Sequence, residues 1–399
     1  MKPWRVIIYV MVVLLGFSVV TVYSTDMTTS GSSGTGYQFI KHILWIGVGS
    51  SFLVTMSKID YHYLQKLSMP ILIVSFVLLV LVLLPGIGTV TNGARRWIRL
   101  NRIVGIQPSE FAKLAMIIFV SNYIAKNQGR MSAFLYGFVI PMGITAATSA
   151  LILKEPDFGT AAFIALLSMM MLVVGGARVI YVFFTAMALA PCIHKMLFDV
   201  QFRKVRLLAF LDPWKDPSGT GYQIIQSWIA LGSGGLTGLG LGNSRQKLFF
   251  LPESNSDFIF TIIGEEFGFL GVICVIGLFL LFLWQGLKIV HAAKDVFGFF
   301  LGFGITMMFG LQAMLNIAVV SGAVPTKGIP LPFISSGGSS LLFSMIGVGV
   351  LVNIARQSSA GETISLPTDK GDLSEGKLDR ILPLRVWSKI TSKVAGFSW

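Results

Sequence analysis

The sequence predicts an all-α polytopic membrane protein of about ten transmembrane helices, with both termini in the cytoplasm. Three observations support this prediction. Of the 399 residues, 54% are hydrophobic and only 12% are charged, with a mean hydropathy of +0.77, which is too apolar for a soluble domain of this length. The apolar residues fall in runs of about 18 to 22, the length that crosses a bilayer as a helix. The basic residues of the short loops gather on one side if ten of these runs cross the membrane.

The ten predicted spans lie near 6–24, 39–57, 68–86, 109–126, 132–153, 158–176, 179–197, 258–287, 297–321 and 338–356. The first span follows Lys2 and Arg5 as a signal peptide would, but no small-residue cleavage pattern comes after it, so we predict a retained helix. The short-loop basic residues then share the side of the N-terminus, which the positive-inside rule makes the cytoplasm; they are Lys2, Arg5, Lys58, Lys66, Lys126, Arg130, Arg178, Lys288 and Lys294.

A large extracytoplasmic loop, about 198–256, is predicted between helices seven and eight. It contains "YQIIQSWIALGSGGLTGLGLG", residues 222–242, which competes for an eleventh span. The uninterrupted apolar part is short, and the second half is rich in glycine, a poor helix former. We therefore predict a re-entrant or interfacial segment at 222–242.

One membrane domain, 1–357, is predicted to be followed by a cytoplasmic tail, 358–399. The tail is polar at first and ends in a basic, aromatic stretch that suits an anionic inner leaflet. Cys192 and Cys274 both lie inside predicted spans, so they cannot form a framework of extracellular disulfides. The four histidines are scattered without metal-ligand spacing, and no zinc site is predicted.

Basic residues also collect on the predicted external side, against the positive-inside bias. For any single one of these residues, snorkelling to lipid headgroups is as good an explanation as ligand binding. The whole set, beside Trp97, suits a lipid that carries phosphate, because guanidinium groups bind phosphate oxygens in a bidentate fashion. The formal net charge of +13 agrees with such a partner, and nucleic acid is not expected because the cations lie in membrane-protein loops. The set is Arg95, Arg96, Arg99, Arg102, Arg203, Lys204, Arg206, Arg245 and Lys247.

Three acids accompany the eighth span. Asp257 lies where a polar loop meets an apolar helix, and partial desolvation there would raise the pKa of a carboxylate toward that of a general base; an N-cap role is equally consistent with its position. In a helix continuous from Asp257, Glu265 is about 12 Å away along the axis, beyond the carboxylate separations of about 5 to 9.5 Å found in glycosidases. Glu265 and Glu266 are therefore predicted to face other helices, as a structural pair or as cavity acids.

Other polar residues lie where a substrate could reach them. Glu110 and Lys113 are three residues apart and can pair on one helical face inside the membrane. Asp157 precedes the sixth span and suits a helix cap better than substrate contact. Lys327 lies in a rigid loop of prolines and glycines. The remaining candidates are Ser335, Ser336 and Gly337, where the last helix begins and an anion or a cap is possible, and Gln223, Gln226 and Trp228, which suit sugar contact.

Four blocks of the sequence together resemble the SEDS family, the bacterial shape, elongation, division and sporulation proteins. They are "QPSEFAK" (107–113), "EPDFGT" (155–160), "LPESNSDFIFTIIGEEFGF" (251–269) and "PTKGIPLPFISSGGSS" (325–340). The resemblance covers about residues 5 to 357, and its last block is most similar to the division members and next to the elongation members.

The resemblance implies a peptidoglycan glycosyltransferase that polymerises lipid II at the outer face of the cytoplasmic membrane, at the division septum. It implies a class B penicillin-binding protein, a transpeptidase, and other division membrane proteins as partners. An elongation or sporulation role, a lipid II flippase and an inactive scaffold are the alternatives; a scaffold would be expected to have lost the acid at Asp257.

The resemblance also assigns roles. It makes Asp257 the general base, with Glu110 and Lys113 lining a cavity beneath it. A diphosphate leaving group needs cations rather than an acid, so Mg²⁺ or Mn²⁺ could assist, although no metal site is predicted. The expected substrate-binding residues are Arg95, Arg96, Trp97, Glu110, Lys113, Asp157, Gln223, Lys327, Ser335, Ser336 and Gly337.

Overall fold

The computed structural model describes residues 1–29, 36–91, 93–99, 105–198, 205, 209–247, 256–325 and 328–360. Residues Met1–Arg356 form one compact unit. Its helices are α1 Pro3–Thr29, α2 Tyr37–Lys58, α3 His62–Lys66, α4 Ser68–Leu83, α5 Pro108–Asn127, α6 Ile140–Lys154, α7 Phe158–Val174, α8 Val179–Phe198, α9 Tyr222–Ser233, α10 Ile259–His291, α11 Val296–Val320 and α12 Gly338–Ala360. A π-helical turn, Leu135–Val139, leads into α6, and single 3₁₀ turns occupy Gln128–Arg130 and Pro213–Lys215.

A helix lies over each of the ten stretches that the sequence predicted as spans. Within the described part of the chain, six segments are long and apolar enough to cross a membrane: Pro3–Asp26, Tyr37–Lys58, Leu135–Lys154, Ile259–His291, Val296–Val320 and Gly338–Ser358. The protein is therefore a multi-pass membrane protein. Crossing by the other four helices, the sidedness of the termini and the domain boundary at residue 357 stay predictions.

The all-α prediction missed one small sheet, which follows α4. Strands β1 Gly88–Thr91, β2 Ala94–Arg99 and β3 Gly105–Ile106 pair antiparallel in that order. The Thr89 hydroxyl donates to the Trp97 carbonyl at 3.0 Å across the first pair. The sequence carries the signal, because an Asn-Gly pair at 92–93 between alternating residues is typical of a hairpin. The basic loop that was predicted to be external therefore contains a hairpin formed by 88–91 and 94–99.

The core lies where α10 and α11 pack along each other, with α1 against α10 and α5 against α11. Three buried aromatic rings meet there: Phe309 lies 5.3 Å from Phe282 and 4.9 Å from Phe333 between centroids. Phe333 has a φ of 64°, a left-handed conformation that a bulky residue adopts only when its surroundings hold it. The aromatic cluster therefore anchors the loop 328–337 that precedes α12.

Helix α10 is interrupted at Gly268, where φ is 67° and ψ is −163°. The carbonyls of Glu265 and Glu266, released from the helix, accept hydrogen bonds from the amides of Leu239 (2.9 Å) and Gly240 (3.1 Å). The amides just past the break donate in turn to the loop, in the pairs Phe269 to Gly235 and Leu270 to Leu236. The glycine-rich half of 222–242 thus provides hydrogen-bond partners for the backbone groups at the break in the helix. Irregular backbone within a membrane requires such partners.

Candidate active site

A small cleft of about 30 Å³ opens between α5, α7, α11 and the loop that precedes α12. Charged and amide side chains line one part of it, and backbone of the loop lines another. The lining residues are Gln107, Glu110, Lys113, Thr160, Phe163, Gln312, Gly328, Ile329 and Pro330. Such a concave site with a few convergent polar groups is typical of a small-ligand or substrate site.

Glu110 and Lys113 form the ion pair that their spacing predicted. The Lys113 ammonium lies 2.8 Å from a Glu110 carboxylate oxygen, and the two residues are only 4% and 5% exposed. Pro108 occupies the first turn of α5, where its fixed φ suits a helix start, so both side chains project from the first two turns. The Lys113 ammonium also lies 5.6 Å from the Phe163 ring centroid. The cleft therefore holds a desolvated cation with one carboxylate partner.

Asp257 lies in the turn just before α10, against the wall of the cleft. The helix begins at Ile259 with Phe258 at the N-cap position, so the N-cap interpretation of Asp257 is wrong, and the assumption of a helix continuous from this residue is also wrong. A Cβ built on Gly328 would lie 2.7 Å from Asp257 Oδ2. Gly328 lines the cleft together with Glu110 and Lys113, so the Asp257 carboxylate lies beside one residue of the cleft wall although Asp257 is not itself a lining residue.

Two buried side chains hold this turn against the loop that follows Gly328. Asn316 donates from Nδ2 to the carbonyls of Asp257 and Ile329, each at 2.8 Å. The Ser335 hydroxyl donates to the carbonyl of Ser256 at 2.5 Å and accepts from the amide of Leu331 at 2.8 Å. Ser335 was predicted to bind substrate, but its hydroxyl is engaged within the protein.

Asp157 caps α7, as its position suggested. Its carboxylate accepts from the Thr160 amide at 3.1 Å and from the Thr160 hydroxyl at 2.8 Å. Thr160 itself lines the cleft. Asp157 therefore fixes a residue of the cleft wall through the first turn of the helix.

Arg96 connects the hairpin to the turn between α6 and α7. Its Nε donates to the Glu155 carbonyl at 3.1 Å and its Nη2 to the Pro156 carbonyl at 2.6 Å. The Glu155 carboxylate is fully buried, and neither oxygen has a hydrogen-bond partner among the described residues. Burial, and secondly the Asp157 charge, raise the pKa of Glu155 to about 8, while Arg96 opposes the shift. Part of the predicted external cation set thus serves the fold.

The other predicted binding residues are not among those that line the cleft. Arg95 is exposed and makes only a long contact, 3.5 Å, to the Leu83 carbonyl. Four further residues are half-buried and lie on β2, on α9 and at the start of α12: Trp97, Gln223, Ser336 and Gly337. Lys327 lies outside the described residues, so its predicted role is untested.

Glu265 and Glu266 take the structural alternative that the sequence left open. The Glu266 carboxylate accepts from Lys247 Nζ at 3.0 Å and from the Ser24 hydroxyl at 2.5 Å. Glu265 accepts from the amide of Arg245 at 2.9 Å and from the hydroxyl of Ser244. Lys247, predicted as an external cation for phosphate, is 2% exposed and paired. These acids fasten the segment 242–247 to α10 and α1.

Sequence reasoning missed several residues of the site. Gln107 lies inside the "QPSEFAK" block, and Thr160 and Phe163 follow the capping aspartate on α7. Gln312 and Asn316 carried a usable signal, since two amides four residues apart in an apolar span share a helical face and need polar partners. Among the described residues, no group of three or more His, Cys, Asp or Glu side chains could hold a metal ion.

Known proteins resemble this chain over nearly its whole length. The family model for cell cycle proteins of the FtsW, RodA and SpoVE type matches residues 5–360. The chain is 42% identical over 362 residues to a probable peptidoglycan glycosyltransferase FtsW of Trichlorobacter lovleyi, covering 89% of this chain and 95% of the relative. It is 39% identical over 359 residues to the stage V sporulation protein E of Bacillus subtilis, covering 90% and 98%.

Two solved structures share the fold. One is a chain from work on the structural coordination of polymerization and crosslinking by a peptidoglycan synthase complex, with a TM-score of 0.72, 26% identity, and coverage of 88% of this chain and 97% of that one. The other is the rod shape determining protein RodA of Thermus thermophilus, with a TM-score of 0.65, 23% identity, and coverage of 88% and 96%. The second likeness is one of fold alone.

Proposed function

We propose, from the finding that this chain belongs to the FtsW, RodA and SpoVE family of cell cycle proteins, that it is a peptidoglycan glycosyltransferase. It polymerises lipid II into glycan strands at the outer face of the cytoplasmic membrane, in septal wall synthesis. Relatives that carry this name at about 40% identity support the activity. The observation that carries the assignment to a site is the Asp257 carboxylate against the wall of a cleft that contains a buried lysine.

In the proposed reaction Asp257 is the general base. Its carboxylate takes the proton of the acceptor sugar 4-hydroxyl, and the hydroxyl oxygen forms a bond to the anomeric carbon of the donor glycan. The bond from that carbon to the phosphate oxygen breaks with inversion, and its electron pair leaves with the isoprenyl diphosphate. A diphosphate is a good leaving group, so the site needs positive charge for it rather than a proton donor.

Lys113 is the residue of the described cleft that supplies this charge. Its ammonium is desolvated, so its attraction to a developing phosphate charge is stronger than in water. Glu110 orients the buried lysine and balances its charge through their ion pair while the cleft is empty. When the diphosphate arrives, Lys113 can share its three donors between Glu110 and a phosphate oxygen.

The proposed partners follow from the family and from the structural likeness. A class B penicillin-binding protein would crosslink the strands that this chain makes, and other division membrane proteins would recruit the pair. The likeness at 26% identity to a chain of a peptidoglycan synthase complex supports a synthase partner.

A polymerisation assay tests the activity. Purified full-length chain, with its partner synthase and lipid II, is expected to make glycan polymer, and Asp257→Asn is expected to reduce the rate by about 10² to 10⁴-fold. The matched control is Asp216→Asn, an exposed aspartate before α9 whose carboxylate accepts hydrogen bonds from its own turn, at Gly219 and Thr220; this variant should polymerise normally. Undiminished polymer from Asp257→Asn would refute the assignment, and lipid II scrambling in liposomes without polymer would favour lipid transport.

A localisation experiment tests the cellular role. Division and sporulation relatives are nearly equally similar, at 42% and 39% identity, so sequence similarity alone does not separate the two. A tagged copy is expected at the division septum of growing cells. A sidewall pattern would point to elongation, and a signal confined to developing spores would point to sporulation.

A further inference from the structure

The proposed base and the cleft wall come from distant parts of the chain. The turn 256–258 precedes α10, and the wall 328–331 precedes α12. Their relative position sets where the Asp257 carboxylate lies, because its Oδ2 is in contact range of Gly328. A general base must lie within about 2.6–3.2 Å of the hydroxyl oxygen whose proton it removes, so this relative position must be held closely.

Asn316 on α11 joins the two segments through one NH₂ group. Both carbonyl oxygens lie 2.8 Å from Nδ2, and two bonds that diverge at about 120° place these oxygens about 5 Å apart. The reverse orientation of the amide would turn Oδ1 toward two carbonyl oxygens, so the network fixes its orientation. The side chain is 1% exposed, which excludes water as a competitor for these bonds.

The cost of this arrangement indicates a purpose beyond packing. Asn316 Oδ1 is buried without a hydrogen-bond partner among the described residues, and an unsatisfied buried acceptor destabilises a fold. An apolar side chain of similar size would avoid that cost but could not bridge two carbonyls. The amide is therefore explained by its two donors.

Ser335 makes a second bridge a few residues further along the wall. Its hydroxyl connects the Ser256 carbonyl to the Leu331 amide, so the residue before the base is tied to the loop independently of Asn316. The two bridges hold the carbonyls on either side of the Asp257 Cα atom, so they fix the orientation of this residue as well as its position.

We propose that Asn316 and Ser335 are positioning residues for the glycosyl transfer assigned above, and the inference rests on that proposed function. Through backbone carbonyls they hold the base-bearing turn against the cleft wall, and they act on the rate through Asp257 rather than by touching lipid II. A base displaced by about 1 Å costs on the order of 10²-fold in rate.

The test separates positioning from folding and from binding. Asn316→Asp keeps the shape but replaces the NH₂ donor pair by an acid, and it is expected to lower kcat on the order of 10²-fold while KM for lipid II stays within about threefold of the wild-type value. Ser335→Ala should lower kcat by a smaller factor, and the KM for lipid II should likewise stay near the wild-type value. Asn316→Gln, which keeps an NH₂ group, should recover part of the loss. Rates are normalised to folded protein measured by thermal unfolding.

Asn122 provides a matched control. It is also a buried asparagine in a long helix, α5, it bonds the Ser68 hydroxyl from Nδ2 at 2.5 Å, and its Oδ1 likewise lacks a partner among the described residues. Asn122→Asp should lower the unfolding temperature without changing kcat per folded molecule, because Asn122 makes none of the contacts that hold the Asp257 turn.

Specific results would overturn the inference. Wild-type kcat in folded Asn316→Asp, a loss confined to KM, or an equal kcat loss in Asn122→Asp would each contradict positioning. If Asn316→Asp does not fold, Ser335→Ala alone tests the proposal, and an unchanged kcat in that variant refutes the positioning role. If the wild-type protein makes no polymer, the proposed function fails instead, so the two failures are distinguishable.

Discussion

Substitution of Gly328 by alanine would perturb the base while leaving every polar side chain of the site intact. Gly328 has no positive φ, so its backbone accepts a Cβ without conformational strain. The added methyl carbon would lie 2.7 Å from Asp257 Oδ2, 3.5 Å from Cγ and 3.8 Å from Oδ1. Only one carboxylate oxygen is therefore too close.

The geometry gives the expected magnitude. A relaxed contact between carbon and oxygen is about 3.3–3.6 Å long, so the carboxylate or the loop must move by about 0.6–0.9 Å. A misplacement of 1 Å costs on the order of 10²-fold in rate, and we expect kcat to fall about ten- to a hundredfold. The unfolding temperature should change little. Replacing glycine by alanine lowers the conformational entropy of the unfolded chain, which stabilises the fold by about 0.4–1 kcal/mol. This gain offsets part of the free-energy cost of the local displacement.

The assay compares glycan polymerisation at several lipid II concentrations with thermal unfolding of the same preparations. Gly277→Ala is the control, since a Cβ at this position in α10 meets no atom within 4 Å and alanine favours the helix; its kcat should equal that of the wild type. A wild-type kcat for Gly328→Ala would refute the placement of the base against the cleft wall.

Three further variants test the stability of the surrounding frame. Lys247→Met leaves the Glu266 carboxylate buried without its cation and should destabilise the protein by about 3–5 kcal/mol. The unfolding temperature should fall, and the double variant Lys247→Met/Glu266→Gln should largely restore it. Equal unfolding temperatures for the single variant and the wild type would contradict a structural pair. Because the pKa of Glu155 is raised to about 8, its contribution to stability is complete below the unfolded value of about 4.3 and is lost as the pH rises through 8. Glu155→Gln should therefore gain stability over the wild type between pH 5 and 9, and parallel pH profiles would argue against the shift. Gly268→Ala places a Cβ 2.3 Å from the Gly238 amide at a φ of 67°, so it should reduce the yield of monodisperse protein, whereas a normal yield would show that the break in α10 is adaptable.

Much of the fold could be predicted because hydrophobic runs of bilayer length are a strong signal. The span predicted at 179–197, for example, is helix Val179–Phe198 in the structure. The small sheet was missed although the Asn-Gly pair is typical of a hairpin, because the charged residues around this pair were interpreted as a phosphate-binding loop. The break at Gly268 was not predictable, since a glycine in a membrane helix is also compatible with close helix packing.

The site could be predicted only in part. Asp257 was a candidate from its place between loop and helix, and the family resemblance made it the predicted base, which stays a prediction; its distance to the glutamates was calculated on a helix that in fact begins at Ile259. The proximity of Asp257 to Gly328 joins residues 71 positions apart, and it depends on tertiary packing and on the bridges of Asn316 and Ser335. Asn316 was missed because amides in an apolar span, such as Gln312 and Asn316, indicate a need for polar partners without identifying them.

The two buried ion pairs show which contacts can be predicted from the sequence and which cannot. Glu110 and Lys113 are three residues apart, so helix geometry alone brings them together, and their pairing followed from the sequence. Lys247 and Glu266 are nineteen residues apart, and their contact depends on a glycine-rich loop that turns back along a broken helix. Desolvation demands a partner for each of these charges equally. Sequence therefore reveals that a buried charge must be paired, whereas the identity of the partner is readable only when local geometry provides it. The Lys113 pair lines the cleft, where the proposed reaction gives its ammonium a phosphate partner, while the Lys247 pair is bonded to Ser24 and enclosed by the loop, as a pair that stabilises the fold.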